Sequence, residues 1–72
     1  MMFVRLRNDL VELPTALTLS EQDDLVCATD ARGLVIARFE RLCVLAWSKE
    51  RDKVSGGLEP VSAGEFLENN AR

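Results

Sequence analysis

The sequence contains no histidine. That absence removes Ser-His and Cys-His nucleophile pairs, imidazole-ligated zinc and most acid–base designs that operate near neutral pH. Cysteine is scarce as well, with only Cys27 and Cys43. Sixteen positions apart, they fit neither a C-x-x-C redox pair nor a cysteine-only zinc site, and both sit in apolar runs where a reduced thiol serves as a small core residue. The four glycines form neither a phosphate-cradling loop nor a dinucleotide fingerprint. No stretch reaches the roughly 18 apolar residues of a membrane span, and Met1 to Leu6 lacks the apolar segment of a secretion signal. A cytoplasmic location is expected.

The carboxylates left for chemistry are Asp23-Asp24 and the pair Glu65 and Glu68. Adjacent acids ahead of a strand read as a solvated turn, and acids three apart on a terminal helix read as its exposed face. No catalytic residue, metal ligand or cofactor is expected, and the chain does not read as an enzyme.

What is present is a hydrophobic fraction of 47% in 72 residues, enough for one domain. A chain this short buries only about 60 to 65% of the surface its unfolded form exposes, so its core is marginal unless more apolar area is covered by a second copy or another protein. A homodimer or a protein partner is expected. The net charge of −3 argues against a general nucleic-acid binder, because phosphate contacts draw their affinity from clustered Lys and Arg.

Along the chain, Met2, Val4 and Leu6 alternate with Phe3, Arg5 and Arg7, which predicts a strand with one basic, solvated face. Asn8-Asp9 permits a turn, and Leu10 to Leu13 can pair back as a second strand that Pro14 ends. From Thr15 to Asp24 the pattern supports at most one helical or 3₁₀ turn, at the capping-box spacing of Thr18 and Glu21. The clearest local signal is Thr29-Asp30-Ala31-Arg32-Gly33 between two apolar runs. Asp opens the turn and Gly closes it, which predicts a hairpin with strands at about 24–29 and 34–39.

The segment that follows has two readings. Val35, Ile36, Phe39, Leu42, Cys43, Ala46 and Trp47 share a helical stripe, which allows one helix over 34–53. Leu34, Val44 and Leu45 lie off that stripe, and Val and Ile favour strands, which supports a strand to Phe39 and then a second strand or short helix over 42–48. After Ser55-Gly56-Gly57, the Ser62 and Glu65 capping box with the Val61 and Phe66 staple starts a short helix that must dock to be stable. The expected fold is α+β and mainly β, a small barrel or twisted antiparallel sheet of four to five strands with a short C-terminal helix. Its β-rich domain spans 1–54, and 55–72 form a Gly-containing linker and the helix.

Val4 and Leu6, Val11-Glu12-Leu13-Pro14, Leu17 to Leu25 and Gly33-Leu34-Val35-Ile36 together resemble the AbrB/MazE-like swapped-hairpin family over residues 2–39. Two departures stand out: Thr15 and Ala16 nearly close the gap where that family places a helix, and Gln22 stands where it has glycine. The resemblance implies a dimer of interleaved hairpins with Arg5, Arg7, Asn8 and Thr15 towards DNA. It also implies a toxin-binding role for Leu42 to Leu67.

Two functions follow. The preferred one is a non-enzymatic interaction protein, an adaptor or inhibitor of the kind mobile elements encode, binding another protein through an acidic and apolar surface. Its expected contacts are Trp47, Phe66 and Leu67, with Glu65 and Glu68 at the rim. The alternative is a dimeric DNA-binding regulator or antitoxin using Arg5, Arg7, Asn8 and Thr15.

Overall fold

Pro14 and Thr15 divide what is otherwise one long strand, and that break sets the architecture. Pro14 cannot donate to a ladder, so β2 (Leu10–Leu13) stops there and β3 (Ala16–Gln22) starts on a different neighbour. The computed structural model describes the backbone of residues 1–70 and the side chains of residues 1–66. Its strands form two sheets. In the first, β1 (Met2–Leu6) lies between β2 and β6 (Val44–Ser48), and β7 (Pro60–Ser62) adds to the far side of β2. In the second, β3 pairs with β4 (Leu25–Asp30), which pairs with β5 (Val35–Glu40). A 3₁₀ turn at Arg41–Cys43 carries β5 into β6, and α1 (Ala63–Asn70) ends the described chain.

The mainly β, α+β class expected from sequence is what the structure shows. It has seven strands among the described residues where four to five were expected, because Ala16–Gln22 forms an additional strand and β7 joins late. All pairings are antiparallel except β2 with β7, which is parallel and begins at Pro60, a place where a strand tolerates proline.

The main core lies between the sheets. Met2, Val4 and Leu6 project from β1, Val11 and Leu13 from β2, and Val26, Ala28 and Phe39 from the second sheet. These are the period-two positions of their strands. The hairpin at Asp30 forms as its residues dictate: Asp30 Oδ1 accepts from the Arg32 amide at 2.8 Å and the Leu34 amide at 3.0 Å, and Gly33 sits at φ +83°. At the other end of the chain, Ser62 Oγ accepts from the Glu65 amide at 3.0 Å and starts α1. The helix then docks through Phe66, whose ring lies 6.3 Å from that of Phe39, so residues 60–66 belong to the packed body.

Three expectations are corrected. The stretch from Thr15 to Asp24 is a seven-residue strand and not a turn. It pairs with β4 through a tight connection at Asp23-Asp24, with Asp23 at φ +54°, and its extended backbone has no helical turn for Thr18 to cap. Residues 34–53 form strand, 3₁₀ turn and strand, not one helix, because β1 has a free edge that β6 fills from Phe3 to Leu6. The outer face of β1 is covered where a solvated basic face is expected. Phe3 and Leu10 share it and pack with Val54, Ala46 and Leu58 in a second cluster.

That cover is held by Arg5. Its Nε donates to the Leu6 carbonyl at 2.9 Å, and its Nη1 donates to the carbonyls of Ser55 at 2.9 Å and Val54 at 3.3 Å. These carbonyls follow the 3₁₀ turn at Arg51–Lys53, where the Lys53 amide donates to the Glu50 carbonyl and the Val54 and Ser55 amides donate to that of Arg51. Burying Phe3 and Leu10 is favourable by about 1.5–3 kcal/mol each, which outweighs leaving one guanidinium in water when that group finds carbonyl partners. Gly56 makes the approach feasible: it sits at φ +52°, and a Cβ there would collide with the Arg5 guanidinium.

Arg5→Ala is expected to cost about 1.5–3 kcal/mol, and Gly56→Ala about 1–3 kcal/mol, in urea unfolding followed by Trp47 fluorescence. The double variant should cost less than the sum, since removing Arg5 removes the collision. Additive costs would mean that the two residues do not meet.

Candidate interaction surface

The 3₁₀ turn at Arg41–Cys43 buries none of its three residues. Its backbone is nevertheless fixed. The Arg41 amide donates to the Asp24 carbonyl at 2.8 Å, and Arg41 Nε pairs with Glu21 Oε1 at 3.2 Å, so the turn is tied to the β3–β4 connection. Held there, Leu42 projects with 95% of its surface exposed. Beside it, Leu45 is 61% exposed and Leu25 is 38% exposed. Leu45 projects because it is the extra residue in β6: Arg5 pairs with Ala46 and Leu6 with Val44, leaving Leu45 without a partner on β1.

Two open depressions meet at Leu42. One, of about 420 Å³, is lined by Asp24, Leu25, Glu40 and Arg41; the other, of about 410 Å³, runs from the Leu6–Asp9 turn past Cys43 and Leu45 to Phe66. Along this side runs the outer edge of β6, at the end of its sheet. Its sequence, Val44-Leu45-Ala46-Trp47-Ser48, holds no charge and no proline. The other strands at sheet ends carry protection of that kind: Glu21 in β3, Arg38 and Glu40 in β5, and Pro60 in β7. Leu17, Leu34, Val35 and Ile36 are also exposed, but near the Asp30 end of the second sheet, among Arg32 and Arg38.

The residues expected to bind a protein partner are placed otherwise. Trp47 is half-buried against the main core opposite Val4, and Phe66 packs on Phe39 while its outer side lines the depression that passes Leu45, so both rings are partly engaged within the chain. Glu65 is exposed, whereas Leu67 and Glu68 lie outside the described side chains. The residues expected to face DNA do not form one surface. Arg5 is turned inward, Arg7 and Asn8 lie by the β1–β2 turn, and Thr15 lies past Leu13, which pairs with Met2 at the opposite end of the hairpin. Asp23-Asp24 forms the solvated connection expected of adjacent acids, and no cluster of His, Cys, Asp and Glu among the described residues could hold a metal. Cys27 is buried and Cys43 is exposed.

The exposed leucines carried no signal in the patterning: Leu42 lay on the helical stripe and is exposed, whereas Val44 lay off it, as Leu45 does, and is buried.

Among the described ionisable groups, Asp30 has a carboxyl displaced below its ordinary value. The Leu34 amide is the largest cause, opposed by partial burial and reinforced by the Arg32 amide, the Arg32 guanidinium and the Gly33 amide. The Arg32 pair at 3.3 Å is solvent-facing and adds little. These contacts anchor a turn, and no catalytic group faces them.

No family model, curated protein or solved structure matches the chain, so its functional reading rests on its own residues.

Because the folded carboxyl titrates below the unfolded value, Asp30 contributes stability that is fully present above about pH 4 and is lost as pH falls through its lowered pKa. Asp30→Asn should therefore be less stable than the parent at pH 7, with the gap narrowing below pH 4 in thermal unfolding. A gap that does not change with pH would remove the carboxylate from that role.

Proposed function

We propose that this chain is a small, non-enzymatic, cytoplasmic interaction module that binds protein through the surface formed by Leu25, Leu42, Leu45 and the outer edge of β6. The observation that carries this reading is Leu42, 95% exposed on a turn that a backbone hydrogen bond and an ion pair tie to the β3–β4 connection. A leucine presented in that way on a fixed backbone, beside two others, has the character of an interface anchor and not of a mobile loop tip. Asp9, Asp24 and Glu40 rim the patch with Arg7 and Arg41, which supplies the mixed polar border of a protein interface.

Magnitudes define what else binding requires. Leu42, Leu45 and Leu25 together expose about the area of two full leucines, so burying them is favourable by about 3–6 kcal/mol, and association costs about 4–15 kcal/mol. The leucines alone are marginal. Backbone pairing along β6 supplies the remainder, because a strand edge offers a ready row of donors and acceptors. A DNA-binding reading has less support, since Arg5 gives its donors to carbonyls and Thr15 stands apart from Arg7 and Asn8. No helix among the described residues is long and apolar enough to cross a membrane.

A photoreactive side chain placed at Leu42 or Leu45 in cells should give protein adducts, whereas the same group at the exposed Thr18 should not. Leu42→Glu should suppress the adduct formed at position 45 while changing stability by less than about 0.5 kcal/mol. Adducts absent from both leucine positions, or equally strong from Thr18, would contradict the reading.

A further inference from the structure

We propose that the occupant of this surface is a second copy of the chain, joined antiparallel along β6 so that two four-stranded sheets become one of eight strands. The inference rests on the reading of the leucine patch as a binding surface and names what fills it. Three observations lead to it.

The first is the edge itself. Val44–Ser48 is an end strand with neither charge nor proline among four end strands, and the other three are each protected. An antiparallel edge is its own complement under a two-fold axis, so an identical edge satisfies its amides and carbonyls without further design. Five residues extend about 17 Å, long enough for several hydrogen bonds across the seam.

The second is the position of the leucines. Leu45 projects from the edge strand and Leu42 stands one turn before it. Antiparallel pairing brings each pair towards the other copy's β6, where they exclude water from the seam.

The third is charge. The strand is preceded by Glu40-Arg41 and followed by Lys49-Glu50-Arg51. Antiparallel overlap sets the first group of one copy near the second group of the other, with both signs at each end. That arrangement avoids the repulsion that a chain of net charge −3 otherwise meets in its own copy.

Sedimentation equilibrium of the full chain from about 1 to about 200 μM, with Leu45→Lys and Leu45→Met beside it, tests this. The parent and Leu45→Met should reach about 16 kDa, twice the 8.0 kDa of one chain. Leu45→Lys should remain folded, by circular dichroism and Trp47 fluorescence, and weaken association at least about tenfold, since it puts the missing charge on the edge. A parent that stays at 8.0 kDa throughout, or a Leu45→Lys variant that associates as tightly as the parent, would overturn the proposal. The adducts formed at position 45 separate the two claims. A monomeric parent that captures a different protein there removes the second copy and leaves the interaction module standing, whereas a monomeric parent with no protein adduct removes both.

Discussion

The guanidinium of Arg5 is the contact on which the rest of this structure depends. It joins the outer face of β1 to the carbonyls of Val54 and Ser55, and so holds residues 49–58 across Phe3 and Leu10. Without that cover the central strand of the first sheet would expose apolar side chains on one face. With it, the chain leaves β6, crosses the sheet and arrives beside β2, where Pro60–Ser62 add as a parallel strand and α1 starts. A hydrogen bond from a charged donor is worth more than a neutral one, and this group makes three to backbone carbonyls. Gly56 keeps the space open, so a residue near the start and a turn near the end specify each other.

Covering both faces of the first sheet has a consequence for function. What remains outward is the far face of the second sheet, the corner where β5 passes into β6, and the edge of β6. The corner presents leucine where a turn normally presents polar side chains; its backbone is tied to Asp24, and its Arg41 side chain pairs with Glu21. Rigid apolar display beside an unprotected strand edge is costly for a protein that stays alone, because both invite association. The proposed second copy covers both features with one surface.

Local chemistry was legible in the sequence, and long-range choice was not. The Asp30 hairpin and the Ser62 cap were readable because each is satisfied by groups within four residues. The alternation in β1 correctly separated Val4 and Leu6 from Phe3 and Arg5, yet it did not reveal that both faces would be covered, since the covering residues lie about fifty positions away. β3 was missed for a similar reason: Ala16 to Gln22 has little apolar alternation, and it becomes a strand because β4 accepts its hydrogen bonds. The site was less legible than the fold. Trp47 and Phe66 are large enough to read as anchors, but both are half-buried against the core, whereas Leu42 and Leu45, which have no such size to single them out, are the more exposed.

Amide hydrogen exchange along β6, measured as the concentration of the full chain is raised, tests the central claim most directly. The account predicts that Leu45, Ala46 and Trp47 exchange more slowly as concentration rises, while the amides of the other end strands, β3 and β5, keep their rates. Exchange at β6 that is independent of concentration, or protection that grows equally at β3 and β5, would contradict it.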